Sequence, residues 1–385
     1  MAPRSLAGAT GTMLLALVLA ATACGRETGG DGRIAQSAPV ELQACTAGEP
    51  EQWRESIARS AVDTGPGTTS ARAVSPEGEI VAVRDNGVAR DLLLIGTDRS
   101  VRELYTLPDP DVSVFGYVGI DQRWIVMAID RLPRNANGVL PAVSRIEVID
   151  RRTGERRMVD ERSVADRATI PERNVLDSVV LFDGKVYWIS RDTYNGDTGA
   201  AHMFDPATGT RTTIASGPIH DIQTGPDGAA WSNTPAALPA PVAAVPAVDM
   251  TSIGTDGVAY GWVRTATEGE TGIGYWSPQS GEIRIAGLDI DTADFRRPVL
   301  VFDSFVILDP GGSATTLETS AVVIDTRSGA VVTLGPRSPG EYDQMVASQG
   351  GTLAMSLADG PGRGVKQTNY RAGMLRSDDL SPATC

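Results

Sequence analysis

An all-β chain built from repeated four-stranded antiparallel units is the fold class this sequence predicts, and three observations carry that reading. A tight turn followed by an apolar strand recurs seven times along the chain. A second hairpin follows most of these copies. The composition, 41% hydrophobic with 42 Gly and 24 Pro in 385 residues, suits a chain that buries a sizeable core and is far from collagen or low-complexity disorder.

The seven first turns are Ser75-Pro76-Glu77-Gly78, Gly119-Ile120-Asp121-Gln122, Leu181-Phe182-Asp183-Gly184, Gly225-Pro226-Asp227-Gly228, Gly254-Thr255-Asp256-Gly257, Val301-Phe302-Asp303-Ser304 and Ser348-Gln349-Gly350-Gly351. Each precedes a run rich in Val, Ile, Trp, Tyr or Ala, such as Val186-Tyr187-Trp188-Ile189. Asp-Gly between two apolar runs is a strong hairpin signal, because both turn residues then take positive φ. The second hairpins turn through Arg151 to Gly154, Pro206 to Gly209, Ser277 to Gly281 and Thr326 to Gly329, with Gly96 to Arg99 as a weaker first copy. A turn of fixed length ending in Gly places one residue at positive φ.

Two hairpins per unit make the four-stranded blade of a β-propeller. The turn-to-turn steps from Glu77 to Gly350 are 44, 62, 44, 29, 47 and 47 residues, and a blade takes about 40–50. The step of 62 carries an insertion, Leu132 to Val143; the step of 29 has room for one hairpin and then an Ala/Pro run, Thr234 to Val248, so that blade is short or irregular. Seven blades are expected, six if the short unit is a connector; a pair of β-sandwiches is the remaining alternative. The tryptophans Trp124, Trp188, Trp231 and Trp262 follow first turns and are expected between blades, as core. Ahead of the repeats, Trp53, Ile57 and Ala61 at four-residue spacing within Glu51 to Val62 predict a short helix leading into the ring.

Residues 1–23 hold one charge, Arg4, and an apolar stretch from Met13 to Ala21, the pattern of an export signal and too short to span a bilayer. Ala21-Thr22-Ala23-Cys24 resembles the lipobox of bacterial lipoproteins, although Ala21 stands where that family usually has a large residue. The resemblance implies that Cys24 becomes the lipid-modified N-terminus, carrying diacylglyceryl and an acyl chain such as palmitate, and that the protein sits on the extracytoplasmic face of the membrane. Two chains hold a protein there stably. A secreted protein cut nearby, with Cys24 lost or buried, is the alternative. Residues 24–44 read as a flexible tether spanning about 25 Å, and 45–385 as a single propeller domain. With Cys24 assigned to lipid, Cys45 and Cys385 remain as an even pair in an oxidising compartment, a disulfide candidate bracketing the whole domain. Two free thiols are the alternative. Propellers commonly close by joining terminal strands in one blade, where such a link would act as a latch.

Ser75-Pro76-Glu77-Gly78-Glu79-Ile80 resembles the repeat signature of TolB-like and WD-type propellers, and Thr224 to Trp231 the blade motif of virginiamycin B lyase and related propellers. Each match covers one blade, so the fold alone is implied and no reaction.

Candidate chemistry is sparse. His220 with Asp221 precedes a first turn and is the one candidate general base; His202 ranks below it, and a bland histidine is the alternative for both. Asp192, Asn195 and Asp197 offer oxygens suited to Ca²⁺, as do Asp289, Asp291 and Asp294, but neither set has the order of a known calcium loop, so solvated turns are the expectation. No nucleophile elbow, phosphate loop or dinucleotide fingerprint occurs, and no cofactor is expected. A net charge of −14 argues against nucleic acid as a partner. Two function classes remain: a membrane-tethered binding or scaffold module for a protein or envelope partner, which is preferred, and a propeller lyase or hydrolase. A structural lipoprotein is a third possibility.

Overall fold

The computed structural model describes residues 38–107, 110–111, 113–131, 143–161, 175–191, 198–219, 222–225, 228–231, 238–246, 250–265, 271–288, 299–308, 321–334, 344–358 and 370–385. Two short strands, β1 (Val40–Leu42) and β2 (Cys45–Ala47), and helix α1 (Glu51–Arg59) lead into the repeats. Strands β3 (Thr68–Val74), β4 (Ile80–Asp85), β5 (Arg90–Ile95) and β6 (Val101–Thr106) then form an antiparallel sheet in chain order.

The next unit comprises β7 (Ser113–Ile120), β8 (Trp124–Arg131), β9 (Val143–Asp150) and β10 (Arg156–Glu161). It is joined through the single Leu176–Val143 pair to a unit of β11 (Val175–Phe182), β12 (Lys185–Arg191), β13 (Thr198–Asp205) and β14 (Thr210–Pro218). A two-stranded sheet follows, β15 (Ile222–Gly225) with β16 (Gly228–Trp231), then helix α2 (Ala240–Ala243). Strands β17 (Thr251–Thr255), β18 (Tyr260–Thr265), β19 (Thr271–Trp276) and β20 (Ile283–Leu288) make another four-stranded unit. So do β21 (Leu300–Phe302), β22 (Phe305–Leu308), β23 (Val322–Asp325) and β24 (Ala330–Thr333). The last sheet holds β25 (Gln344–Gln349), β26 (Thr352–Ala358) and β27 (Tyr370–Arg376).

The first strands of the units pack on one another in the series β17, β21, β25, β3, β7, β11, β15. The apolar clusters lie between consecutive sheets: Val81 and Leu92 meet Phe115 and Met127, and Val126 meets Trp188 and Phe204. Sheets stacked face to face around their inner strands define a β-propeller. The burial gradient follows the sequence: β4 and β5 are buried on both faces, whereas outer β6 and β14 are polar and exposed. Trp124 and Trp188 are buried between sheets, as expected; Trp262 is buried instead beneath a helical segment, because among the described residues no full sheet stands on that side of its unit.

The short unit is irregular in a specific way. The Ala/Pro run provides α2, whose Val242 is fully buried with Leu238 against Tyr260 and Trp262, so a helical turn covers β18 on that side.

Closure is observed directly. The backbone of residues 60–62 pairs antiparallel with β27 (Ala61 opposite Gly373), giving the C-terminal sheet a fourth, N-terminal strand. On α1, Trp53 packs edge-on against Phe305 and its Nε1 donates to the Ser381 carbonyl at 2.8 Å, while Ser56 Oγ donates to the Asp379 carbonyl. Cys45 and Cys385, 340 residues apart, form a disulfide with Cα atoms 5.8 Å apart. One boundary needs correcting. Residues 40–42 do not belong to a tether: β1 runs parallel along the edge of β20, and Leu42 packs on the cluster between the β17–β20 and β21–β24 sheets, because that edge has backbone groups to satisfy and an apolar side chain to cover. Strand β2 does the same on β24.

Candidate functional site

The inner turns are the most definite feature of the fold, and they follow local chemistry. At Asp183-Gly184 both residues are left-handed (φ 47° and 72°), the expected tight hairpin. At Asp256-Gly257 only the glycine is (φ 90°); Asp256 instead accepts the amides of Val258 and Ala259 on Oδ1, which holds a wider turn. Asp121 does likewise for Arg123 and Trp124. In the outer hairpins Gly154, Gly209, Gly281 and Gly329 all lie at φ 63–79°, each donating its amide to the residue four back, as the fixed-length pattern predicts.

Where four of these turns meet, a cleft of about 520 Å³ opens. Pro76, Ile120, Leu181 and Phe182 give it apolar walls; Asp121, Gln122, Arg123, Asp183 and Gln349 supply the polar groups. Its frame is tied between sheets. Arg151, buried in the outer turn after β9, donates to Glu77 at 3.2 Å across to the neighbouring sheet and also meets Glu79 and the Asp121 carbonyl. Arg123 donates to the buried Asp150 carboxylate at 3.1 Å and lies 4.4 Å over the Trp124 ring. Gly350 sits so close to the Pro76 carbonyl that a Cβ would lie 2.1 Å from it, so the turn before β26 can abut the turn before β4 only as glycine.

Burial raises the pKa of Asp121; the Trp124, Arg123 and Gly184 amides pull it back and the like charge of Glu77 adds to the rise. Its Oδ2 is sealed from solvent and accepts no hydrogen bond among the described residues. Asp183, at the mouth, is exposed. Among the described residues no ion pair reaches either carboxylate.

Two other clusters carry titratable groups. His202 is buried on the sheet face toward Asp160, its ring stacked on Trp188 at 5.2 Å. Its Nε2 lies 2.7 Å from Ser190 Oγ and its Nδ1 3.1 Å from Thr213 Oγ1. A hydroxyl stands at Nδ1, where a nucleophilic triad has a carboxylate. Asp130 on β8 is pushed up to about 6 by burial, and its Oδ1 has no hydrogen bond among the described residues. Gly116 makes room for it, since a Cβ there would lie 2.1 Å from Oδ2.

Of the residues singled out from the sequence, the structure joins Cys45 to Cys385 and places His202 in a hydroxyl network. Cys24, Asp192, Asn195, Asp197, His220, Asp221, Asp289, Asp291 and Asp294 lie outside the described residues. Among the described residues no group of His, Cys, Asp or Glu is arranged to hold a metal, and no helix is long and apolar enough to cross a membrane. Sequence reasoning took Asp121 and Asp183 as turn residues only; the signal for more was their place in neighbouring inner turns of stacked sheets. Asp130, an acid closing the apolar run Ile125 to Ile129, was missed.

No family model matches this chain, and no curated protein does. Solved structures with a similar chain course include virginiamycin B lyase from Staphylococcus aureus, at 13% identity and TM-score 0.43, covering 82% of this chain and 97% of that one. Oligogalacturonate lyase from Vibrio parahaemolyticus matches at 10% identity and TM-score 0.42 over 81% and 90%. A prolyl endopeptidase matches at 12% identity and TM-score 0.30, over 80% of this chain and 42% of that chain. At these scores none of them bears on the site.

Proposed function

We propose that the protein is a lipoprotein, anchored through Cys24 on the extracytoplasmic face of the membrane, whose propeller body acts as a binding module for a protein or envelope partner. The observation that carries the binding role is the cleft: about 520 Å³, mixed in lining, with walls locked between sheets by Arg151 and Arg123. A concave site whose walls are fixed before the partner arrives costs little ordering on binding. The lipobox supports the location, and the Cys45–Cys385 disulfide suits an oxidising compartment.

The test is cross-linking of the full-length protein in its native membrane, then capture and mass spectrometry, beside a Cys24→Ala variant. A stoichiometric partner whose cross-links map to the turns around Gln122 and Gln349, with Cys24→Ala leaving the membrane fraction, is the expected result. Retention of Cys24→Ala, or no partner above background, overturns the corresponding half of the reading.

The enzyme reading has one contact in its favour, Ser190 Oγ at 2.7 Å from His202 Nε2, which is hydrogen-bond reach for a nucleophile and its base. It requires that a fluorophosphonate label Ser190 and that His202→Ala abolish the labelling. An unlabelled Ser190 removes it.

A further inference from the structure

The cleft is bordered by the carboxylates of Asp121 and Asp183, and the two arginines beside it each pair with a carboxylate of the fold, Arg123 through Nε with the rest of its head half-exposed. Arg123 is held by Asp150 and the Trp124 face; Arg151 is held by Glu77 and Glu79. Asp121 brings a charge into the wall that no ion pair among the described residues offsets, and Glu77 adds repulsion of the same sign there. Asp183 holds a second carboxylate at the mouth from a left-handed backbone position, φ 47°, where glycine would be at ease. The apolar stretch formed by Ile120, Leu181 and Phe182 lies beside these groups.

The equivalent interface one half of the molecule away shows how such a junction closes on itself. Asp256 Oδ2 accepts the Asp303 amide of the next sheet at 3.1 Å, and the Asp303 carboxylate takes the Ser304 hydroxyl. Both acceptors are used within the fold. At the cleft the Gly184 amide of the next sheet also favours the Asp121 carboxylate, but among the described residues Asp121 Oδ2 accepts no hydrogen bond and neither does the exposed Asp183 carboxylate.

Resting on the binding-module reading above, we infer that the cleft takes a basic side chain of its partner, an arginine or lysine whose aliphatic stem lies on Ile120, Leu181 and Phe182 and whose head is held at Asp183 in the field of Asp121. The assignment follows from the chemistry: a methylene stem suits the apolar wall, a guanidinium or ammonium head needs acceptors and negative potential, and Gln122 and Gln349 can add carbonyl oxygens.

The test titrates the full-length protein with Nα-acetyl-arginine amide, Nα-acetyl-lysine amide and Nα-acetyl-citrulline amide, followed by NMR of the probe. Citrulline keeps the shape of arginine without its charge. Saturable binding of the two cationic probes is expected, at least tenfold weaker for citrulline, weakened by salt, and at least tenfold weaker in Asp183→Asn. Asparagine tolerates the left-handed backbone at 183, so that variant keeps its fold. Asp121→Asn keeps an acceptor for the Arg123 and Trp124 amides and is expected to weaken binding as well. Absence of saturable binding, equal affinity for citrulline, or binding unaffected by Asp183→Asn would each overturn the inference. Failure here beside a captured partner leaves the binding module standing and removes only the ligand class. Probe binding without a captured partner does the reverse.

Discussion

The two Asp turns stand in structurally equivalent places and differ in how much of their chemistry the fold consumes. Around Asp256 both carboxylate oxygens are bonded, one to its own turn and one to the next sheet. The same region carries the N-terminal strap, with β1 along β20 and β2 along β24, and the disulfide at its end. Around Asp121 one oxygen is bonded and the other accepts no hydrogen bond among the described residues, and the outer strand of the next sheet there, β14, is exposed. The contrast teaches that one junction spends both of its carboxylates inside the fold, whereas the other keeps one, Asp183, exposed beside a cleft.

The largest expected effect falls on the closed side. Replacing Cys45 and Cys385 by Ser releases a loop of 340 residues, and chain entropy sets an upper figure of about 5–6 kcal/mol. Urea denaturation of the variant should show most of that loss, and amide exchange should rise first in β20, β24 and β27. Unchanged exchange in those strands would mean that the strap holds without its covalent lock.

Next comes the pair of aspartates. Asp256→Ala strips an acceptor from the buried Ala259 amide and from the Val258 and Asp303 amides, for a loss of about 2–4 kcal/mol. Asp121→Ala removes two such bonds and none to the next sheet, while burial raises both carboxylates alike, so the loss should be smaller, about 1–2 kcal/mol. Equal losses in parallel denaturation curves would erase the distinction between the junctions.

Asp130 gives a pH signature to the open side. Its folded pKa, about 6, lies above the usual carboxylate value, so the folded state holds the proton more tightly than the unfolded chain. Stability is fully present below about pH 4, falls as pH rises toward 6, and levels off above that, by about 2–3 kcal/mol in all. Asp130→Asn should therefore melt higher than the parent at pH 8 and about equally at pH 4. A pH-independent difference would show that the carboxylate is not the cause.

The smallest effect is the most telling for the cleft. Asp183→Gly removes a side chain from a left-handed position and should raise stability by about 0.5–1 kcal/mol in thermal melts. A loss instead would show that the carboxylate serves the fold rather than a ligand.

Much of the architecture was legible because hairpin chemistry is local. The spacing of Asp and Gly placed every one of the first turns between paired strands, and the outer turns ended on the expected glycines. Trp53 and Ile57 gave α1, which ends at Arg59 rather than reaching Val62 because Ala61 pairs with Gly373 of β27, and two leftover cysteines gave the disulfide. What failed was also instructive. The tether was read too long because three residues with two apolar side chains look like linker until an edge strand is there to receive them. The Ala/Pro run read only as a break, and its helical cover for Trp262 depends on a neighbour in space.

The sequence by itself determined the turn positions and the continuous apolar runs that bury both faces of the inner strands, because each rests on the preferences of a few adjacent residues. Only the tertiary structure decided which turns become neighbours. Ring closure set residues 60–62 against β27, and the stacking of consecutive sheets placed Asp121 beside Asp183 and brought Asp256 onto the Asp303 amide. Whether a carboxylate is consumed by the fold or left for a ligand depends on the group that stacking places opposite it, and that group lies tens of residues away in the chain.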